Sequence, residues 1–159
     1  MAAKHYDVKT FRASGSIGYL LKMSHSLLLD SAEEAFAGHD LSFIQWLVLI
    51  RLHEGEAVTA SDLCRAMRHD NGAFTRLIDQ LEARGLVKRE RSSTDRRIVQ
   101  LSLTAAGRRH VTELMPLVVD TLNAALQDFT KTEFAQLVRL LNKLTARLRT
   151  IEQGERVQA

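Results

Sequence analysis

The chain has 159 residues, 45% of them hydrophobic and 26% charged, with one proline and eight glycines. That supports a domain-sized core and excludes disordered, collagen-like and low-complexity classes. A single cysteine, Cys64, rules out an intramolecular disulfide and a cysteine-rich zinc site, and the net charge of +3 hides an uneven distribution.

In chain order, residues 12–36 place Ile17, Leu20, Leu21, Leu27, Leu28, Ala35 and Phe36 at mostly helical spacing, which predicts a first helix. Gly38-His39-Asp40 ends it. Ser42-Phe-Ile-Gln45 has the form of a capping box and opens an apolar helix to about His53, stopped by Gly55. Thr59-Ala-Ser-Asp62 opens a short third helix through Met67. Asp70 is placed to cap a fourth from Asn71 to Arg84, with Gly85 at its C′ position. After Gly85 the period falls towards two. Leu86–Arg91 and Arg97–Leu103 read as strands, with Val99, Leu101 and Leu103 on one face. Ser92-Ser-Thr-Asp95 supplies the turn between them. Thr104 caps a long helix in which Pro116 is expected to kink or restart the axis. Thr130-Lys-Thr-Glu133 is a capping box for a last helix to about Glu152.

The order is four helices, a hairpin and two helices. The expected fold is mainly α with a small β-hairpin: a winged helix-turn-helix with N- and C-terminal dimerisation helices. The expected division is residues 1–38 for an N-terminal dimerisation helix, 39–104 for the DNA-binding domain and 105–159 for the C-terminal dimerisation helices.

Charge agrees with that expectation. Residues 86–110 carry seven Lys and Arg against Glu90 and Asp95, a net +5, whereas residues 1–58 sum to −2 and the other segments balance. So concentrated an excess on the hairpin points to a polyanionic partner.

Over residues 41–110 the sequence resembles the MarR family of bacterial transcription regulators. Leu41-Ser42 with Gln45-Trp46 and Val48-Leu49 is similar to the opening of the family's second helix. Residues 70–82 are similar to its recognition helix, and Gly85-Leu86-Val87 to the start of its wing. The most specific piece is Asp95-Arg96-Arg97, with Leu101-Ser-Leu-Thr104 and Gly107 after it. One departure is Gly72-Ala73-Phe74, where the family often has polar residues; it bears on which base edges are read.

On the fourth helix Leu77, Ile78 and Leu81 can face the core, which leaves Asn71, Thr75, Arg76 and Gln80 for the major groove. Thr75 and Arg76 lead, since a hydroxyl meets base or phosphate and a guanidinium forks onto guanine. The alternative for Arg76 is a surface pair with Asp79 or Gln80. Ser61, Arg65 and His69 flank this helix as phosphate contacts. At the hairpin tip, Arg96 and Arg97 project from a shape narrow enough for a minor groove, where arginine is favoured. The resemblance ranks Arg97 first. Asp95 is read as holding an arginine by a charged hydrogen bond, the alternative being a turn former.

The last helix spaces Phe134, Leu137, Leu141, Leu144, Leu148 and Ile151 by 3, 4, 3, 4 and 3 residues, a heptad seam. Its simplest use is a homodimer, which the resemblance also implies. Two-fold symmetry then calls for a pseudo-palindromic operator with half-sites about one DNA turn apart. The resemblance further implies a repressor released by a small aromatic acid effector, phenolic or carboxylic. Tyr19, Lys22 and Met23 on the first helix and Trp46 and Arg51 on the second supply aromatic, apolar and cationic groups for it.

Rival classes have less behind them. No catalytic motif, phosphate loop or dinucleotide fingerprint appears, so no enzyme activity and no cofactor are expected. The six histidines stand singly without an i,i+4 pair, so no metal site is expected. Redox sensing through Cys64 competes with its reading as a small buried apolar residue. A dimeric protein-interaction module without DNA binding leaves the basic hairpin unexplained. The longest apolar runs, such as Leu47–Ile50, are too short to span a bilayer, and Met1–Arg12 lacks a signal-peptide core, so no membrane partner and a cytoplasmic location are expected.

Overall fold

A computed structural model describes residues 4–55, 58–67, 71–92, 95 and 97–157. A 3-10 turn at Ala13–Gly15 precedes α1 (Ile17–Ala35), and α2 (Phe43–His53), α3 (Ala60–Met67) and α4 (Asn71–Ala83) come next. An antiparallel hairpin, β1 (Val87–Arg91) and β2 (Val99–Leu103), leads to α5 (Ala105–Ala125) and α6 (Lys131–Val157). The architecture is the expected winged helix-turn-helix with flanking helices. The chain forms two compact units, Met1–Thr121 and Leu122–Ala159.

Local chemistry accounts for the element ends. Ser16 ends the 3-10 turn in extended backbone and accepts the Tyr19 N–H, so α1 starts at Ile17 and not at residue 12. Ser42 accepts the Gln45 N–H while the Gln45 side chain accepts the Ser42 N–H, the full capping box at α2. Thr59 and Asp62 exchange the same pair of bonds at α3, as do Thr130 and Glu133 at α6. Asp70, the expected cap of α4, lies outside the described residues. At the other end of α4, Gly85 (φ +66°) takes the left-handed C′ place. Its N–H bonds to the Glu82 carbonyl and that of Leu86 to the Leu81 carbonyl, a Schellman closure. Pro116 sits within α5 without ending it: the helix is one element from Ala105 to Ala125.

The core lies in the first unit. Leu41, Val48 and Leu49 of the second helix region meet Leu63 of α3, Ile78 and Leu81 of α4, Leu86, Val87 and Leu103 of the hairpin, and Val111 of α5. Leu101 and Leu103 are buried as expected, but Val99 is 43% exposed, because the hairpin leaves the core before its tip. One further bond, from the Leu101 N–H to the Val58 carbonyl at 2.8 Å, ties the free edge of β2 to the segment ahead of α3. In the second unit α6 has no buried residue among those described.

Candidate nucleic-acid interface

The recognition helix α4 sorts its residues by period. Phe74, Ile78 and Leu81 form an i, i+4, i+7 stripe that is almost fully buried, and Leu77 is half-buried beside it. Phe74 therefore belongs to the core. The departure at Gly72-Ala73-Phe74 does not put an aromatic ring before the bases, because the ring points inward. On the opposite face Thr75, Arg76, Asp79 and Gln80 are exposed. The surface pair of Arg76 with Asp79 or Gln80 is not formed. Asp79 is taken by Arg89, and the Gln80 side-chain oxygen accepts from Gln45 Nε2 at 3.4 Å. The side chain of Asn71 lies outside what the structure describes, although its backbone opens α4.

Ahead of α4, Ser61 and Arg65 are exposed on α3, and Arg65 pairs with Asp62 at 3.2 Å. Such an exposed pair gains little and leaves the guanidinium able to exchange partners. His69 lies outside the described residues. Cys64 is half-buried and packs against the core, the placement of a small apolar residue.

At the hairpin tip, the Ser92 N–H bonds to the Ile98 carbonyl and the Ile98 N–H to the Asp95 carbonyl. The Asp95 carboxylate accepts the backbone N–H of Arg97 at 2.9 Å. The bond has elements of both readings of Asp95: its carboxylate holds Arg97, and it does so through the main chain of the turn. Two residues apart in a tight turn, the carboxylate finds a main-chain N–H first, so Asp95 also acts as a turn former. Arg97 is exposed, and Arg96 lies outside the described residues.

The basic excess of the hairpin is smaller at its surface than in the sequence. Lys88 pairs with Glu90 at 2.8 Å, and Arg108 donates to the Leu103 carbonyl. Arg89 donates Nη2 to Asp79 at 2.6 Å and Nη1 to Glu82, so one guanidinium spans two carboxylates on successive turns of α4. Burial pushes the Arg89 guanidinium down, but the hydrogen bonds and charges of Asp79 and Glu82 outweigh it and hold it above its ordinary range. In a count of sequence charges Arg89 adds to the attraction for a polyanion, and its tethering role does not show. The available signal is Asp79 and Glu82, three apart on one helix face and close ahead of a strand.

The expected effector residues are not brought together. A groove of about 900 Å³ opens among α1, α2 and α3, lined by His25, Leu29 and Asp30, by Phe43, Leu47 and Arg51, and by Met67. Of the expected set only Arg51 lines it. Tyr19, Lys22 and Met23 are exposed, nearer the start of α1 than Leu29 and Asp30. Trp46 is 3% exposed, and its ring faces Phe36 and stacks on Phe43 while Nε1 donates to the Val111 carbonyl at 3.3 Å. Its indole is thus a satisfied part of the core. Glu33, at the same groove, accepts the N–H groups of Phe43 and Ile44 and so caps α2 from α1. Among the described residues no cluster of three metal-ligating side chains occurs, and no helix is long and apolar enough to cross a membrane.

The geometry is matched among known proteins. The transcriptional repressor MprA of Escherichia coli is 30% identical over 130 residues, 80% of this chain and 74% of MprA. The structure of Bordetella bronchiseptica BpsR, described with the regulation of its DNA binding by 6-hydroxynicotinic acid, superposes with a TM-score of 0.75. It is 25% identical and covers 85% of this chain and 96% of that one. A cysteine-to-serine variant of Escherichia coli MarR in complex with operator DNA superposes at 0.72, with 28% identity over 80% of this chain and 92% of that one. A sequence profile of the MarR family matches residues 39–98, the span that contains α2 to α4, β1 and the hairpin tip. The chain therefore belongs to the MarR family, DNA-binding transcription regulators rather than enzymes.

Proposed function

We propose that the protein is a homodimeric repressor released from a pseudo-palindromic operator by a small aromatic acid. The observation that carries DNA reading is the outward face of α4, where Thr75 and Arg76 stand exposed above a fully buried Phe74-Ile78-Leu81 stripe. Arg76 enters the major groove and forks onto a guanine, Thr75 meets base or phosphate, and Gln80 and Asn71 extend the contact. Ser61, Arg65 and His69 meet phosphates, and Arg97, with Arg96, enters the neighbouring minor groove. MprA is a repressor and the MarR variant binds operator DNA, which supports this reading.

Dimerisation is supported by apolar surface that the chain leaves uncovered. Phe134, Leu141, Leu148 and Ile151 of α6 are 37–53% exposed, and Ile17, Leu20 and Leu27 of α1 are 48–60% exposed. Each helix by itself thus carries several exposed large apolar side chains, as interaction surfaces do. In this reading residues 1–38 and 105–159 dimerise and residues 39–104 bind DNA.

For the effector, the control of BpsR by 6-hydroxynicotinic acid supports an aromatic acid. We place it in the α1–α2–α3 groove, with its carboxylate on Arg51 and its ring on Phe43 and Leu47. Such a ligand releases DNA only by binding the DNA-free geometry better. The test is a gel shift on the DNA upstream of the protein's own gene, repeated with a panel of phenolic and heteroaromatic acids. A shift that Arg76→Ala abolishes, and that an acid reverses in the wild type but not in Arg51→Ala, supports the whole reading. A shift that no acid reverses removes the effector and leaves the DNA reading intact.

A further inference from the structure

Besides the burial of Leu86, Val87, Leu101 and Leu103 in the core and the Arg108 bond to the Leu103 carbonyl, three ties act on the hairpin. One main-chain and one side-chain bond of Thr104 hold its base, where the Thr104 N–H donates to the Leu86 carbonyl and the Thr104 hydroxyl Oγ1 to the Gly85 carbonyl at 2.7 Å. Another main-chain bond, Leu101 to Val58, holds the outer edge of β2. The third is the Arg89 fork. Arg89 is the central residue of β1, opposite Leu101, and its guanidinium reaches the outward side of α4 at Asp79 and Glu82.

These bonds differ in what they fix. The bonds at the base and at one edge of β2, like the apolar packing of Leu86, Val87 and Leu103, act on the buried side of the hairpin and include no polar contact with the outward side of α4. The Arg89 fork is the only side-chain ion pair between hairpin and recognition helix among the described residues. It is planar and two-pronged, and its carboxylates lie on successive turns, so it resists both tilt and slide. The Arg89 side chain is 29% exposed, less than either partner, so this pair is screened less than a fully exposed one.

We infer that Arg89, with Asp79 and Glu82, is a positioning device that fixes the angle between recognition helix and wing, so that α4 in a major groove delivers Arg97 to the adjacent minor groove. This rests on the reading of α4 and Arg97 as DNA contacts given above. Arg89 itself does not touch DNA. It acts through Arg97, and its two carboxylate partners more than offset its charge at the surface. A shift of about 1 Å is enough to spoil a positioned contact, so loss of the fork detaches the Arg97 contribution without unfolding the domain.

The test is a double-mutant cycle in the full-length protein between Arg89→Leu and Arg97→Ala, with operator affinity as the readout. Amide hydrogen exchange of the hairpin in the DNA-free protein is measured alongside. In the wild-type background Arg97→Ala is expected to weaken binding about tenfold or more, and in the Arg89→Leu background by less than about twofold. Arg89→Lys, which keeps the charge but not the fork, is expected to fall between the two. Amides from Val87 to Leu103 should exchange faster in Arg89→Leu while those of α5 do not.

Equal loss from Arg97→Ala in both backgrounds overturns the inference, because the wing is then placed without the fork. Unchanged hairpin exchange in Arg89→Leu overturns it whatever the DNA result. If Arg97→Ala has no effect in the wild type, the minor-groove reading fails, and with it the functional half of the inference, while faster exchange still establishes the clamp. Should Arg89→Leu fail to fold, Asp79→Asn and Glu82→Gln each remove one prong, and the same cycle is read with them.

Discussion

At Gly107 the first turn of α5 passes so close to the end of α4 that a Cβ there would stand 2.2 Å from the Leu86 carbonyl oxygen. The neighbour is backbone and cannot swing aside. Gly107→Ala should therefore destabilise the protein by about 1–3 kcal/mol by overpacking, read as a lowered midpoint in urea with an unchanged slope. The same closeness lets Thr104 Oγ1 accept the Gly107 N–H while donating to the Gly85 carbonyl, so three residues lock the hairpin base to the start of α5. Trp46 is another residue whose role depends on its surroundings. Buried against Phe36 and Phe43, it should cost about 3–5 kcal/mol when replaced by alanine, with the loss appearing as unfolding and not as a blunted response to ligand. At the surface, Arg97→Ala should weaken operator binding by about 1–3 kcal/mol and flatten its salt dependence, with the melting temperature unchanged.

Among the described residues α3 is the α-helix with the fewest, eight, so that its cap serves a large share of its length. Asp62 is held below the ordinary carboxylate range, first by the Thr59 hydroxyl and then, against the opposing effect of burial, by the Val58 and Thr59 backbone and by Arg65. A carboxyl whose pKa is lower in the folded state than in the unfolded state stabilises the fold above its ordinary pKa. That contribution is lost as the pH falls through the depressed folded value. Asp62→Asn should therefore lower stability at neutral pH, and its difference from the wild type should shrink towards zero as thermal melts are taken into strong acid. Thr59→Ala removes the N-cap outright and should cost about 0.5–2 kcal/mol, with α3 amides losing exchange protection before those of α4. On α6, Glu133 is shifted down in the same sense by Thr130, at an exposed site where the effect is screened.

For the whole molecule, assembly is the test. The α6 side chains that space 3, 4, 3, 4 and 3 remain largely solvent-facing within the chain, and Val138 and Leu140, also exposed, widen the seam beyond a strict heptad. Charged replacements at Leu141 and Leu144 should convert a dimer to a monomer in light scattering, and specific operator binding should be lost with it. A dimer that survives both replacements would place the contact on other surfaces.

The sequence by itself determined the elements, because caps and periods act within a few residues. The Ser42–Gln45, Thr59–Asp62 and Thr130–Glu133 boxes and the C′ glycine at Gly85 appear where their spacing puts them. It also determined the winged helix-turn-helix, since Ile78 and Leu81 keep one period and Leu101 and Leu103 the other, whereas the burial of Phe74 and the exposure of Val99 came from the tertiary structure. Only the tertiary structure decided which charges face water. Arg89 and Arg97 look alike in a basic stretch, yet one is spent on Asp79 and Glu82, ten and seven residues back along the chain, and the other is exposed at the tip turn. The structure alone also decided that Trp46 turns inward to Val111, 65 residues away, while Arg51, on the same helix, borders the groove. The reason is physical: a helix period fixes which residues share a face, but not which face the rest of the chain will cover. That depends on contacts between segments far apart in sequence, which leave no local pattern to read.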